Sequence, residues 1–261
     1  MSREILGGPY RGLAYRIQIN RPEKLNAMNR TMWSSLKEEL SKGCASDARV
    51  ILITGTDQAF SSGDDIESMF RLETPEESRR FFYEIFEAVQ AMIRCPKPVV
   101  CEVKGLAAGG GAELLLGCDV VVASDTAWIS FPEVALGLIP PFLVTLGVQA
   151  LGHRKVRYLA LTGSRLSARE AAIIGIVDEV VASSEIDQVV DDLIKTIASF
   201  PPESIAIVKR RVLEGVNESA VKDAVDELSR LALSPEAKER MRMFREHKYK
   251  PAALRGRRPP C

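Results

Sequence analysis

Three short, nearly unbroken apolar runs constrain this chain more than anything else in it. They are VILIT at Val50–Thr54, VVCEV at Val99–Val103 and DVVVA at Asp119–Ala123. Runs of this length without alternation read as strands buried on both faces. A Gly-rich segment and a short helix separate the last two. GLAYRIQI, from Gly12 to Ile19, spaces Leu13, Tyr15, Ile17 and Ile19 two apart and predicts another strand, and Ile176–Val181 is a fifth candidate. Met28, Met32, Leu36 and Leu40 recur every four residues, so Met28–Gly43 reads as a helix with Gly43 as its stop. Pro75–Arg94 places Phe82, Ile85, Phe86, Val89 and Ile93 on one helical face, and Pro96 and Pro98 end it. After Ser184 the pattern is wholly helical, with a broad stripe through Ala220, Val221, Ala224, Val225, Leu228, Leu231 and Ala232. The expectation is an α/β domain followed by a helical layer.

The 261 residues, 46% of them apolar, suffice for one large domain or two small ones. Thirty-five basic and 35 acidic side chains cancel, so the whole chain has no drive towards nucleic acid or an anionic membrane. Val134–Leu151 is uncharged and long enough for a membrane span, but Pro140-Pro141 breaks it into two buried elements. The cysteines (Cys44, Cys95, Cys101, Cys118, Cys261) are odd in number, scattered and without a CxxC pair. They suggest neither a disulfide framework nor a zinc site, and favour a reducing, cytoplasmic setting. The start, MSREILGGPYRG, has no apolar core of signal-peptide length, and the basic, Pro-rich tail RGRRPPC is expected to fray.

The chain has no GxGxxG, GxxxxGK[ST] or GxSxG, which removes dinucleotide, P-loop and serine-hydrolase chemistry. His153 and His247 lack partners at metal spacing and read as partly exposed helix residues. The informative stretch is Gly105–Gly152, whose four ionisable side chains, Glu113, Asp119, Asp125 and Glu133, are all acidic. A carboxyl in apolar surroundings is costly unless paired or protonated, and burial raises its pKa towards the range useful for proton transfer. Glu113 and Glu133 are therefore a candidate acid/base pair; each also fits a half-buried helix surface or a distant arginine partner. Asp119 reads as satisfying backbone donors at a strand entry, and Asp125 as part of a turn. Gly109-Gly110-Gly111, ahead of AELLLG, would bring free N–H groups close to a ligand, or form a tight packing turn. AFSSGDDI, Ala59–Ile66, is a second such place, with Asp64 or Asp65 as a helix N-cap.

Five segments agree in order and spacing with one known pattern. INRPEKLNAMN, AFSSGDDI, VKGLAAGGGAELLLGCDVVVAS, FPEVALGLIP and LTGSRLSAREAAIIGIVDEVV together resemble the crotonase superfamily, the enoyl-CoA hydratase/isomerase family, from about Leu13 to Pro251. The resemblance implies a spiral of ββα units, residues 1–195, followed by a helical C-terminal region, residues 196–261, that builds a homotrimer or a dimer of trimers. It implies an acyl-CoA substrate, no metal and no separate cofactor, since coenzyme A arrives with the substrate.

By motif position the thioester oxygen would be held by the backbone N–H groups of Asp64 and Gly110, an oxyanion hole. Glu113 and Glu133 would be the catalytic pair of an enoyl-CoA hydratase, a lyase of fatty acid metabolism. Substrate contacts carried over from the same motifs are Lys24, Leu25 and Ala27; Ser61, Gly63, Asp64, Asp65 and Ile66; Ala108, Gly109 and Gly110; and Pro132 with Glu133. Isomerases of the family commonly keep a glutamate like Glu133 and lack the first, so an enoyl-CoA isomerase is the alternative. RNA binding is the weaker one, because the charge is balanced and the basic stretch carries no interleaved aromatics. Three departures stand out. PFLVTLGVQALG replaces a Gly-Gly-Thr-rich stretch that shapes the acyl pocket. Asp64 puts a carboxyl beside a proposed oxyanion donor. Glu23 stands where relatives carry a basic residue near the CoA phosphates, a role open to Lys24, Lys248 or Lys250.

Overall fold

The protein is described by a computed structural model covering residues 4–248. Lys250 and the RGRRPPC tail with Cys261 lie outside the described residues. A hairpin, β1 (Ile5–Tyr10) and β2 (Ala14–Ile19), leads into helix α1 (Arg30–Ala45). The chain then repeats a unit of long strand, short strand and helix. The first is β3 (Val50–Thr54), β4 (Ala59–Ser61) and the helices α2 (Ile66–Phe70) and α3 (Pro75–Arg94). The second is β5 (Val99–Val103), β6 (Leu106–Ala108) and α4 (Gly110–Leu115). The third is β7 (Val120–Ser124), β8 (Trp128–Ser130) and α5 (Leu146–Thr162). There follow β9 (Leu166–Ser167), α6 (Ala168–Ile173) and β10 (Glu179–Val181), and then α7 (Ile186–Ser199), α8 (Pro202–Leu213), α9 (Glu218–Leu231) and α10 (Pro235–Arg245).

Each turn of this spiral adds its long strand to one sheet and its short strand to another. The long strands make a six-stranded sheet in the order β1-β2-β3-β5-β7-β10, parallel from β2 onwards. The short strands make a four-stranded sheet, β4-β6-β8-β9, with β4, β6 and β8 parallel. The apolar runs are explained by what covers the large sheet. Ile51, Ile53, Val99, Cys101 and Val121 face the main core with α1 and α3. Val50, Leu52, Val100 and Val122 face the other way, against Ile186, Val190 and Ile194 of α7. Both faces are buried, so alternation disappears.

The structure corrects several expectations. β1 pairs with the predicted first strand but is half-exposed and contains Gly7, Gly8 and Pro9, so its own signal is weak. The short strands have two or three residues each, too few to show a period. Ile176–Val181 is a strand only over Glu179–Val181. Gly43 does not stop its helix, which runs to Ala45; a Cβ there would meet Ile51 at 2.7 Å and Tyr15 at 2.9 Å, so glycine permits close packing on the sheet. The cysteines were expected unpaired, yet Cys44 is bonded to Cys95 and Cys101 to Cys118. Folding brings together residues 51 and 17 positions apart, which no local motif reveals. The inference of a reducing compartment loses that support. No helix among the described residues is long and apolar enough to cross a membrane, and Val134–Leu151 breaks at its proline pair before α5 begins.

Asp119 caps a strand entry, as its position suggested. Its carboxylate accepts the Val99 N–H at 2.7 Å and the ammonium of Lys209 from α8. Lys209 also donates to the Lys97 carbonyl at 2.8 Å. Burial pushes Asp119 up and Lys209 down despite their pairing, so each needs the other. Lys209→Ala is expected to cost about 2 kcal/mol in urea denaturation by leaving the partly exposed Asp119 carboxylate with only the Val99 N–H as partner. Arg211→Ala, which breaks the exposed pair with Glu214, should cost less than about 0.5 kcal/mol.

Candidate active site

The ends of β4, β6 and β8 lie side by side, and the loops leaving them converge. The loop after β4 is held by hydrogen bonds to the segment before α1: Met28 N–H donates to Gly63 O at 2.7 Å, and Ser62 and Asp65 N–H donate to Leu25 and Met28 O at 3.0 and 2.9 Å. Asn26, fully buried in a left-handed conformation, donates to Ala59 and Phe60 O and accepts from Arg21 N–H. Ser61 Oγ donates to Asn26 O at 2.8 Å and accepts the Gly63 N–H at 3.1 Å. Gly63 has φ 90°, and a Cβ on it would stand 2.7 Å from Ala108 O and 2.9 Å from Gly110 N. Only glycine fits where the two loops meet.

Of the positions picked from motifs, Ser61, Gly63, Asp64, Ala108, Gly109, Gly110 and Glu133 gather at this junction. Gly109 N–H donates to Ser130 O at 3.0 Å, which ties the glycine corner to β8, and Glu133 Oε1 lies 3.4 Å from where a Gly109 Cβ would be. Asp65 is the N-cap of α2 and its carboxylate accepts from Arg21 at 3.1 Å, so it has a structural occupation, and Ile66 opens that helix. Pro132 precedes the short 3-10 turn that carries Glu133. Lys24 and Leu25 lie exposed beside Ala27, on the segment laced to the loop after β4. Lys248 pairs with Glu246 at 2.6 Å, and Glu23 lies 3.9 Å from Arg21.

Two backbone donors at the junction are unclaimed. Among the described residues nothing accepts the N–H of Asp64 or that of Gly110, the first residue of α4. Three carboxyls surround them. Glu113, one turn into α4, is buried, and its Oε1 accepts Phe142 N–H at 2.7 Å and Leu143 N–H at 2.9 Å. Glu133 is 9% exposed, and both its oxygens are enclosed without a hydrogen-bond partner, as is the nearby Ser130 Oγ. Asp64 turns its carboxyl inward, and Trp33 Nε1 donates to Oδ1 at 2.9 Å.

Among the described residues no cation pairs with any of the three, and no cluster is arranged to hold a metal ion. Burial, with the neighbouring Asp64 charge, pushes Glu133 up to about 8. Burial and the Glu133 charge push Glu113 well above the carboxylate range, against the pull of its two N–H donors. The pair gives up its protons one at a time. The Phe142 and Leu143 amides would support the ionised form of Glu113 when its proton leaves. Sequence reading missed Trp33, Asn26, Arg21 and the Phe142–Leu143 amides. Arg21 and Asn26 sit inside the quoted INRPEKLNAMN segment; the other contacts join distant segments and leave no local trace.

The spiral of ββα units and the helical C-terminal region are those of the crotonase superfamily. A model of the enoyl-CoA hydratase/isomerase family matches residues 10–252, and the chain belongs to that family. It is 34% identical to a probable enoyl-CoA hydratase of Rhizobium meliloti (strain 1021), over 84% of this chain and 83% of that protein. It is 33% identical to a 1,2-epoxyphenylacetyl-CoA isomerase of Escherichia coli (strain K12), over 75% of this chain and 77% of that protein. An enoyl-CoA hydratase/isomerase structure from Xanthobacter autotrophicus Py2 superposes with a TM-score of 0.86 at 27% identity, covering 98% and 96% of the two chains. The chain is thus an acyl-CoA enzyme of crotonase type.

The raised Glu133 has a consequence for stability. The folded protein keeps on this carboxyl a proton that the unfolded chain releases near pH 4.5, and it gives that proton up only near pH 8. Stability therefore falls as pH rises through that window. Glu133→Gln removes the penalty. Its Tm should match the parent near pH 4 and exceed it near pH 8, by an amount worth up to a few kcal/mol. Thermal unfolding at the two pH values checks this.

Proposed function

We propose that this protein adds water across the double bond of a trans-2-enoyl-CoA to give a 3-hydroxyacyl-CoA, and catalyses the reverse dehydration. The observation that carries this is the pair of buried glutamates, one held by two amides and one with both oxygens unclaimed. The thioester oxygen would accept from the N–H groups of Asp64 and Gly110, which stabilise the charge that grows there as the enolate forms. Glu113, ionised and fixed by Phe142 and Leu143, takes a proton from the water attacking C3. Glu133, protonated at neutral pH, delivers one to C2. Dehydration exchanges the roles. Substrate contacts come from the segment around Lys24, Leu25 and Ala27, from Ser61 to Ile66, from Ala108 to Gly110, and from Pro132 and Glu133. No metal or separate cofactor takes part.

Glu113→Gln and Glu133→Gln should each lower kcat for crotonyl-CoA hydration by at least roughly 10²-fold with folding retained. A variant that hydrates at the parent rate removes its glutamate from the mechanism. An enzyme that only shifts the double bond of a 3-enoyl-CoA is an isomerase instead.

The exposed apolar side chains on α8 and just ahead of it support a homotrimer or a dimer of trimers. Phe200, Val208 and Val212 are 49%, 62% and 74% exposed, more than an isolated surface helix needs. Sedimentation at micromolar concentration should give three subunits or a multiple of three; a monodisperse monomer or dimer contradicts it.

A further inference from the structure

Asp64 has a place in the site that its backbone N–H does not explain. The carboxyl stands at the glycine corner: a Cβ on Gly110 would lie 3.3 Å from Oδ1 and 3.4 Å from Oδ2. Among the described residues its surroundings hold no positive charge for it. From α1 it meets only the neutral N–H of Trp33. Its chain neighbour Asp65 is negative and already engaged with Arg21. From α4 and the 3-10 turn come Glu113 and Glu133, both of which feel the Asp64 charge. Although the residue as a whole is only partly buried, its carboxyl is enclosed, and that burial pushes it up to about 7, with the Trp33 hydrogen bond pulling the other way.

An ionised carboxylate at this corner would oppose a negative charge growing on an oxygen held by the Asp64 and Gly110 amides. A neutral one would assist it. Trp33 occupies Oδ1, so the proton of the neutral form sits on Oδ2, as a further donor at the corner. The unpartnered oxygens of Glu133, one of them 3.4 Å from where a Gly109 Cβ would be, lie beside the same corner and suit a polar ligand.

We propose that the Asp64 side chain works in its neutral form, as a proton-bearing donor at the Gly109–Gly110 corner, so that an acyl thioester binds this site together with a proton. The inference rests on the acyl-CoA reading above. The proton comes from solvent and settles on Oδ2; no other bond changes. Above the carboxyl's own pKa, binding must draw in up to one proton per site.

The test is calorimetric titration with butyryl-CoA, a saturated thioester that has no double bond to hydrate. Titrations near pH 8 in two buffers of different ionisation enthalpy measure the proton taken up. The parent should take up roughly half a proton or more per site. Asp64→Asn, neutral at every pH and still able to accept from Trp33, should bind with less than about a fifth of a proton. Glu133→Gln should keep the parent's uptake. Trp33→Phe removes the donor that favours the ionised carboxyl, so the lower edge of the uptake window should move to higher pH. Equal uptake by the parent and Asp64→Asn overturns the proposal, as does uptake lost only in Glu133→Gln or an unmoved window in Trp33→Phe. If butyryl-CoA does not bind the parent at all, the acyl-CoA reading fails and this proposal fails with it. Binding without uptake linked to Asp64 overturns the proposal alone.

Discussion

The candidate site depends on a close approach between two stretches of backbone. A Cβ on Gly111 would lie 2.4 Å from Ser61 O, and one on Gly63 would lie 2.7 Å from Ala108 O. No side chain fits between residues 61–64 and 108–111, so the Asp64 and Gly110 amides, on different loops, are brought close together. Everything near them follows. Asp64 must lie beside Gly110, Glu113 must sit one turn beyond, and Glu133 must close the remaining side from β8. Asn26, itself without solvent contact, ties the first of these loops to the segment ahead of α1.

Around that contact the C-terminal helices act as a clamp. Lys238 of α10 donates to the Met69, Phe70 and Leu72 carbonyls at the end of α2, the helix that follows Asp64 and Asp65. Arg240, on the same helix, donates to Ala135 O in the turn that carries Glu133. Gly137, just after that turn, has φ 74° and would bring a Cβ within 3.3 Å of Ala237. One helix thus holds the supports of two of the three carboxyls. Its charged groups work on backbone carbonyls, where a cation completes helix ends that have no further N–H to accept.

The sequence made the large sheet legible because helices cover both of its faces, so Val50–Thr54, Val99–Val103 and most of Asp119–Ala123 are apolar without interruption. It left the small sheet unreadable, since Leu106–Ala108 and Trp128–Ser130 are three-residue strands defined by neighbours far along the chain. Glu113 and Glu133 were legible because a lone charge in an apolar stretch is anomalous wherever it lies. Trp33 was not: it reads as one more core residue of an amphipathic helix, and its bond to Asp64 exists only once 31 positions of chain have folded back. Gly43 and the cysteines were misread for a related reason. A local rule supplied a cap and a set of free thiols, and the tertiary contact supplied something else.

Because β4, β6 and β8 are parallel neighbours, the loops that carry Asp64, the glycine corner and Glu133 all leave the small sheet at the same edge, about one strand spacing apart. The candidate groups are therefore mounted like teeth on a comb whose spine is the sheet. Changing one tooth leaves the others in register, since the hydrogen bonds that set their spacing lie behind them. A scaffold of this kind is modular with respect to chemistry, and its overall likeness to a relative says little about which bond is made or broken. This chain is as similar to a protein named as an isomerase as to one named as a hydratase, 33% against 34%. Such a scaffold leaves the choice of reaction to the loop tips, where Asp64 sits with the glycine corner.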